Sequence, residues 1–174
     1  MEKDLFFEKL RLRKLQNIAY DIVSEQFQGK IDKGGQPYEY HCLRVAEAVE
    51  RSFSEQPGTF QIKCIIAALL HDVIEDTSIT KEDLLKIGFD KDIVEAVDAV
   101  SRRKNESYFD FVKRCKENEI ARIVKRYDLE DNMDIRRLTK FGDYEQKRLK
   151  KYWHSWKFIK DEIDEVEYCT QISK

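Results

Sequence analysis

The chain has 174 residues, with 32 Lys and Arg, 34 Asp and Glu, and a formal net charge of −2. This length suits one domain, and the near-cancelling charges disfavour both a basic nucleic-acid binder and an acidic disordered tail. The four cysteines form no C-x-x-C pair, the N-terminus lacks the apolar stretch of a signal peptide, and the longest apolar run, residues 64–70, is far too short to span a bilayer. We therefore expect a soluble cytoplasmic protein with no membrane or nucleic-acid partner.

Apolar residues recur every three or four positions along the chain, which predicts an all-α fold. The first helix carries an apolar stripe from Leu5 to Val23. Residues 29–38, with three glycines and a proline, then form the one loop whose composition suggests a function. A second helix carries inward positions between residues 40 and 49. A third is predicted from about 59 to 75, and its nearly continuous apolar surface is typical of a helix at the centre of a fold.

Capping signals and spacing define the later helices. The segment from Thr80 to Asp83 predicts a capping box that begins a short helix ending at Gly88. Further helices are predicted over the ranges 90–101, 107–116, 119–131 and 143–167. The expected architecture is a compact bundle of seven to nine helices with a long C-terminal helix.

The sharpest local feature is residues 71–76, His-Asp-Val-Ile-Glu-Asp, at the end of the third predicted helix. At about 100° per residue, the four polar side chains share one helix face. Three carboxylates and an imidazole crowded there would repel unless a cation lay among them, and a divalent metal is the natural neutraliser. The alternative is a solvated helix terminus, where acidic residues are common.

Two other positions carry related chemistry. His41 follows the glycine-rich loop on an apolar face, where a histidine is more often a satisfied core residue than a ligand. Asp128 lies near the buried stripe of the helix predicted over 119–131, and a buried carboxylate needs a partner. An ordinary pairing with a nearby Lys or Arg is the alternative for Asp128.

The order His…His-Asp…Asp on separate helices resembles the HD superfamily of metal-dependent phosphohydrolases. Within it, the chain looks like the hydrolase domain of the RelA/SpoT alarmone enzymes and the small alarmone hydrolases. Residues 35–41 resemble that family's G-x-P-Y-x-x-H, and residues 67–77 resemble its A-A-x-L-H-D-x-x-E-D-T almost residue for residue. Residues 125–133 are similar to its K-x-x-D-x-x-x-N-M. The resemblance implies one HD-domain bundle over residues 1–174, with core motifs in 33–133 and a C-terminal helical extension, 141–174, packed on the same domain.

The resemblance also implies one divalent metal ion, Mn²⁺ by analogy, with Mg²⁺, Fe²⁺, Co²⁺, Ni²⁺ and Zn²⁺ as alternatives. Such an ion would lower the pKa of a water molecule and polarise the phosphorus centre of a substrate. Glu75 and Asp76 would orient the attacking water and manage its proton. The implied metal ligands are His41, His71, Asp72 and Asp128, and the implied substrate contacts are Lys33 and Asn132.

Besides Cys42, which stands where the family has proline, two residues depart from the family pattern, and all three leave the implied metal ligands unchanged. Asp32 precedes Lys33 where the alarmone hydrolases carry two adjacent basic residues, and Asp131 stands where they often have His or Tyr. The main hypothesis is removal of the 3′-pyrophosphate from guanosine tetra- or pentaphosphate, as a guanosine-3′,5′-bis(diphosphate) 3′-pyrophosphohydrolase does. The departures motivate one alternative, an HD nucleotidase or phosphodiesterase acting on another phosphorylated nucleotide. A second alternative is a catalytically silent, nucleotide-sensing helical module.

The last predicted helix carries the third histidine and a basic stretch. His154 lies beside two tryptophans and is expected to pack rather than to bind a metal. Residues 146–151 are predicted to form a solvated face, with self-association into a homo-oligomer as the alternative.

Overall fold

The computed structural model describes residues 2–32, 34–53 and 58–172, which form helices and connecting loops. Within these ranges no strand occurs, and the one isolated bridge joins Ile31 to Pro37. The all-α prediction is therefore confirmed. The helices are, in chain order, α1 (Glu2–Gln26), α2 (Glu39–Arg51), α3 (Thr59–Leu70), α4 (Val73–Asp76), α5 (Lys81–Ile87), α6 (Lys91–Val100), α7 (Tyr108–Glu117), α8 (Glu119–Asn132), a 3-10 turn (Ile135–Arg137), α9 (Asp143–Ile159) and α10 (Glu165–Ile172).

Helix α3 lies at the centre of the bundle, as its apolar surface predicts. Every residue from Cys64 to Leu70 is buried, and α3 contacts α1, α2, α6 and α8. A helix packed against neighbours on several sides has no face left for polar side chains. The apolar run is therefore explained by position in the fold.

The prediction that the third helix continues to residue 75 is wrong. Helix α3 ends at Leu70, and the chain turns through His71 and Asp72 before the single turn α4. Nδ1 of His71 lies 2.8 Å from the carbonyl oxygen of Ala68, the acceptor that the backbone N–H of Asp72 would use in a continuing helix. Asp72 has φ −100° and ψ −1°, at the edge of the right-handed helical region. The four polar side chains of residues 71–76 thus project from a turn and a short helix.

The capping box predicted at Thr80 is confirmed. The hydroxyl of Thr80 accepts a hydrogen bond from the backbone N–H of Asp83, whose carboxylate accepts one from the backbone N–H of Thr80 in return. Helix α5 then ends at Gly88, whose φ of +104° is a left-handed conformation that glycine adopts readily. Local sequence signals therefore fix both ends of this helix.

The prediction of one helix over residues 143–167 is also wrong. Helix α9 ends at Ile159, Asp161 adopts a φ of +62°, and α10 begins at Glu165. The reversal stacks the ring of Tyr168 on that of Phe158, with centroids 4.6 Å apart, and buries both side chains. The guanidinium of Arg122 donates to the carbonyl oxygen of Ile159 at 2.9 Å, which satisfies the helix end. Long-range packing therefore overrides the continuous helical pattern.

Replacing Leu70 with alanine should lower the free energy of unfolding by about 2–5 kcal/mol, because the side chain is fully buried in α3 and its removal leaves a cavity. Urea unfolding followed by circular dichroism measures the change. Leu85→Ala is the matched control, because Leu85 is 44% exposed and its truncation should cost no more than about 0.5 kcal/mol. Equal losses in the two variants would contradict the central position of α3.

Three helices, α2, α3 and α8, meet at one junction in the core. Each of α2, α3 and α8 contacts the other two. His41 lies in the first turn of α2, His71 follows α3 directly, and Asp128 lies near the end of α8. No helix among the described residues is both long and apolar enough to cross a bilayer.

Candidate metal centre

Four side-chain atoms converge at the junction of α2, α3 and α8. Nε2 of His41 lies 3.2 Å from Nε2 of His71, 3.2 Å from Oδ1 of Asp128 and 3.6 Å from Oδ2 of Asp72. Nε2 of His71 lies 3.0 Å from Oδ2 of Asp72 and 3.6 Å from Oδ1 of Asp128. The structure thus brings together all four residues that the sequence motifs propose as metal ligands.

The distances of 3.0–3.6 Å that join the two Nε2 atoms to each other and to the carboxylate oxygens fit neighbouring ligands of a metal ion. Neighbouring ligands of an ion with bonds of about 2.1 Å lie about 3.0 Å apart in an octahedron and about 3.4 Å apart in a tetrahedron. The donor set, two imidazole nitrogens and two carboxylate oxygens, suits first-row divalent metals. Cys42 also lies beside His71 and Asp72, and burial raises the pKa of its thiol to about 12.

The electrostatics of the cluster call for positive charge at its centre. Burial alone would lower the pKa of both histidines, but the neighbouring Asp72 and Asp128 raise the pKa of His71 well above its ordinary value, and Asp128 and Asp131 raise that of His41. In the absence of another cation, protonated imidazoles therefore balance the negative charge of the carboxylates. A divalent cation would supply the same charge, so binding of metal and of protons at this site must compete.

Two neighbours hold the carboxylate of Asp128. Nζ of Lys125 donates to Oδ2 at 2.7 Å, and the amide of Asn132 donates to Oδ1 at 2.6 Å. Burial would raise the pKa of Asp128, but Lys125 and the two histidines lower it well below its ordinary value. The two interpretations of Asp128, a metal ligand or the partner of a basic residue, are compatible, because Oδ2 bonds Lys125 while Oδ1 faces the two histidines.

Tyr38, from the glycine-rich loop, holds the carboxylates on the opposite side. Its hydroxyl donates to Oδ2 of Asp72 at 2.7 Å and contacts Oδ2 of Asp76 at 3.2 Å. Tyr38 is the fourth residue of the G-x-P-Y-x-x-H block, so the motif that contains His41 also supplies a support for Asp72. The loop suspected from its composition therefore contacts the cluster.

Glu75 and Asp76 lie next to the four-ligand cluster but outside it. Oε2 of Glu75 accepts a hydrogen bond from the backbone N–H of Arg102 at 2.7 Å. Burial raises the pKa of Glu75, and burial together with the charge of Asp72 raises that of Asp76. A carboxyl group whose pKa is raised towards neutrality is suited to exchange protons during catalysis.

A cavity of about 250 Å³ opens beside the cluster, and Glu75 and Asp76 both line it. Its walls combine positive charge with aromatic rings, which suits a ligand carrying both phosphate groups and a planar base. Nζ of Lys151 lies 4.2 Å from the ring centre of Tyr108 on this wall. The cations that line the cavity are Arg102, Lys125 and Lys151, and the aromatic residues are Tyr38, Tyr108, Phe111 and Tyr152.

A buried arginine lies close by on α9. Arg148 is only 8% exposed, and its Nε finds no hydrogen-bond partner among residues 2–32, 34–53 and 58–172. It lines a smaller cavity of about 70 Å³ together with Tyr38, His41 and Asn132, which also border the larger one. A buried guanidinium with an unsatisfied donor is costly in a protein. The same cavity is also bordered by the carboxylates of Asp32, Asp131 and Asp134 and by Arg137.

Of the two predicted substrate contacts, only Asn132 lies among the described residues. Asn132 borders both cavities while its amide bonds the carboxylate of Asp128, and its contact with a nucleotide stays a prediction. Lys33 lies outside the described residues.

His154 is buried on α9 and does not line either cavity. The basic stretch 146–151 is not uniformly solvated, because Arg148 is buried and Lys151 lines the larger cavity, which corrects the sequence-based interpretation.

Several residues of the site escaped the sequence analysis. The roles of Arg148, Lys151 and Tyr152 depend on how α9 packs against α7 and α8, for which the sequence carries no local signal. The partner of Asp131 is likewise set by tertiary structure, because Nδ1 of His41 lies 2.6 Å from its Oδ2 although 90 positions separate the two residues. The one usable signal was the K-x-x-D spacing, which placed Lys125 one helical turn before Asp128.

Comparison with protein families gives a match to one model, described as "HD domain", over residues 19–138. Among curated proteins, the chain is similar to guanosine-3′,5′-bis(diphosphate) 3′-pyrophosphohydrolases of Borreliella burgdorferi, at 34% identity over 86 residues, and of Vibrio cholerae, at 37% over 84 residues. These alignments cover 48% of this chain but only 12% and 11% of the two relatives. The enzyme of the same name from Aquifex aeolicus aligns over 141 residues at 28% identity, covering 76% of this chain and 19% of the relative.

A solved structure described as a metazoan ortholog of SpoT that hydrolyzes ppGpp superposes on this chain with a TM-score of 0.66. The superposition covers 91% of this chain and 94% of the other, at 20% sequence identity. At that identity the likeness establishes a common fold. It extends beyond residue 138, where the family match ends, and therefore includes helices of the C-terminal part.

Proposed function

Because the chain belongs to the HD-domain family, we propose that it is a metal-dependent phosphohydrolase that removes the 3′-pyrophosphate of guanosine-3′,5′-bis(diphosphate). The observation that carries this proposal is the cluster of four ligand atoms from His41, His71, Asp72 and Asp128. It lies beside a cavity whose lining combines carboxylates with three cations and several aromatic rings. The names of the curated relatives support the choice of substrate.

We assign one divalent ion to the four ligand atoms, and Mn²⁺ in preference to Mg²⁺, Fe²⁺, Co²⁺, Ni²⁺ or Zn²⁺. Carboxylate oxygens combined with imidazole nitrogens suit such an ion, and both histidines present Nε2 to the same point. When bound, the ion would lower the pKa of a water molecule and polarise the phosphorus centre. The remaining chemistry falls to the side chains of this chain.

Proton transfer is the role we assign to Glu75 and Asp76. The backbone N–H of Arg102 donates a hydrogen bond to one carboxylate oxygen of Glu75. This bond restrains the carboxylate and leaves its second oxygen for proton exchange. Asp76 is held by the hydroxyl of Tyr38. Their raised pKa values favour transfer of a proton from the attacking water to the 3′-oxygen of the departing GDP, while the water oxygen becomes part of the pyrophosphate.

Cations at two neighbouring cavities, Arg148 at the smaller and Lys151 at the larger, support a highly charged substrate. Arg148 offers a buried unsatisfied donor, while Lys151 lies over the ring of Tyr108. Two diphosphate groups would satisfy such donors, and the aromatic side chains suit stacking against guanine. We further propose that Lys33 contacts a phosphate and that Asn132 faces the nucleoside.

Three features of the wider protein complete the proposal. Arg148 and Lys151 belong to α9, so residues 141–174 would form part of the same functional domain as the motifs in 33–133. We propose that the protein acts in the cytoplasm on a free nucleotide. Self-association into a homo-oligomer remains the accompanying hypothesis for the exposed part of α9, where Tyr144 and Trp153 lie at the surface.

A nucleotide panel tests the substrate assignment. The purified protein, stripped with EDTA and reloaded with Mn²⁺, should convert guanosine-3′,5′-bis(diphosphate) to GDP and pyrophosphate in equal amounts, as identified by mass spectrometry. The EDTA-treated sample without added metal should be inactive. Deoxynucleoside triphosphates and cyclic nucleotides in parallel reactions should be turned over far more slowly.

Two results would contradict the assignment in different ways. Turnover of deoxynucleotides or cyclic nucleotides without pyrophosphate release from the alarmone would favour a general HD nucleotidase or phosphodiesterase. Tight binding of the alarmone with no hydrolysis across Mn²⁺, Mg²⁺, Co²⁺ and Zn²⁺ would favour a silent sensing module.

A further inference from the structure

The two departures from the family pattern, Asp32 and Asp131, belong to one hydrogen-bonded network. Nη2 of Arg137 donates to Oδ2 of Asp32 at 2.6 Å, and Nη2 of Arg44 reaches the same oxygen at 3.4 Å. The same two guanidiniums bind Asp131. Residues separated by about a hundred positions are thus joined through a pair of arginines.

Asp131 ends this network at the candidate metal centre. Its Oδ2 lies 2.6 Å from Nδ1 of His41, while Nε of Arg44 donates to its Oδ1 at 2.7 Å. Arg137 donates to its backbone oxygen at 2.7 Å and also contacts its Oδ2. The carboxylate is only 11% exposed and is engaged by His41, Arg44 and Arg137, although it also borders the smaller cavity.

Asp32 anchors the other end of the network in the glycine-rich loop. Its Oδ1 accepts hydrogen bonds from the backbone N–H groups of Gly34 and Gln36, both at 2.9 Å. A Cβ on Gly34 would lie 2.7 Å from the backbone oxygen of Arg137, so only glycine permits this close approach. The loop, the 3-10 turn and the end of α8 are therefore clamped together around the two carboxylates.

Each histidine of the cluster is held at its own Nδ1 atom, and the two Nδ1 atoms have partners of different chemical type. Nδ1 of His71 lies 2.8 Å from the backbone carbonyl oxygen of Ala68, and Nδ1 of His41 lies against the carboxylate of Asp131. In each case the partner accepts the Nδ1 proton, which leaves Nε2 directed at the cluster. A carboxylate partner also increases the basicity of the imidazole, which a backbone carbonyl does more weakly.

We propose that Asp131 is a positioning residue of the metal centre: it fixes the orientation and tautomer of His41, and Asp32 supports it through Arg44 and Arg137. This inference rests on the metal site of the proposed function. It assigns the two departures from the family pattern to support of a ligand rather than to recognition of a different nucleotide.

Metal affinity in the absence of nucleotide tests the inference independently of any hydrolysis. Asp131→Asn should raise the Kd for Mn²⁺, measured by calorimetry and by the electron paramagnetic resonance signal of free Mn²⁺, by about 10- to 100-fold. Asp32→Asn should raise it less, because the arginines retain Asp131. The KM for the nucleotide at saturating Mn²⁺ should change by less than about twofold while kcat falls.

Asp90→Asn is the matched control. Asp90 pairs with Arg11 and Lys63 on α1 and α3, so the variant also removes a carboxylate held by two cations, but away from the cluster. Its Mn²⁺ Kd should equal that of the unmodified protein, and thermal unfolding should show all three variants folded. A Mn²⁺ Kd unchanged in Asp131→Asn, or a raised KM with an unchanged Kd, would overturn the inference.

Discussion

Replacing His71 with alanine should abolish metal binding and reduce kcat/KM by at least about 10³-fold, equivalent to about 4 kcal/mol of transition-state stabilisation. The imidazole is buried, and its Nε2 lies within 3.6 Å of three other ligand atoms. Because loss of an outer-shell partner already costs about 10- to 100-fold in affinity, loss of a ligand should cost more. Calorimetric titration with Mn²⁺ and steady-state kinetics on guanosine-3′,5′-bis(diphosphate) measure the two effects.

The third histidine supplies the control for this experiment. His154 is also buried, but its ring packs against Trp153 on α9, away from the ligand cluster. His154→Gln should bind Mn²⁺ and turn over substrate like the unmodified protein. If His71→Ala folds and still binds one equivalent of Mn²⁺ tightly, the assignment of the metal centre is wrong.

Replacing Glu75 with glutamine should lower kcat by about 10²- to 10⁴-fold and leave the Mn²⁺ Kd unchanged. Glutamine keeps an oxygen that can accept the hydrogen bond from the backbone N–H of Arg102, so the local structure should be preserved. It cannot exchange a proton, however, which isolates the chemical role of the carboxyl group. Single-turnover kinetics at saturating Mn²⁺ measure the effect without interference from product release.

Glu82→Gln provides the comparison for this variant, because Glu82 is an exposed residue on α5 and its loss should change neither kcat nor metal affinity. A Glu75→Gln variant with normal kcat would transfer the proton role to Asp76, the other carboxylate held by this part of the cavity. Loss of Mn²⁺ binding in Glu75→Gln would instead make Glu75 a ligand.

Much of the fold follows from local physical chemistry. The apolar run 64–70 predicted the central helix α3, and the capping box at Thr80 together with Gly88 predicted both ends of α5. In these places the burial pattern and the backbone preferences agree, so the sequence alone specifies the element. The break between α9 and α10 could not be predicted, because it depends on Tyr168 reaching the ring of Phe158 across a reversal of the chain.

In the candidate site, too, some residues could be predicted from the sequence and others could not. The resemblance of three short motifs to those of the HD superfamily proposed His41, His71, Asp72 and Asp128, because such motifs can be read from the sequence alone. The structure places their ligand atoms together. Their roles in catalysis stay predictions. Arg148 could not be found in this way, because a single arginine in a basic stretch looks solvated until α9 is packed. The break of α3 at His71 was hidden by the helical periodicity that continues through it.

The junction of α2, α3 and α8 links the stability of the folded protein, and hence its amount in the cell, to the supply of metal. Its ligand atoms come from separate helices, and His41 and His71 alone lie 30 positions apart. A bound ion would therefore act as a reversible cross-link between helices of the core, stabilising the folded state by about 2.7 kcal/mol when free metal exceeds its Kd a hundredfold. Chains synthesised during metal scarcity would unfold more often and meet proteases more often, so supply of the ion would govern how much protein accumulates as well as how fast each molecule works.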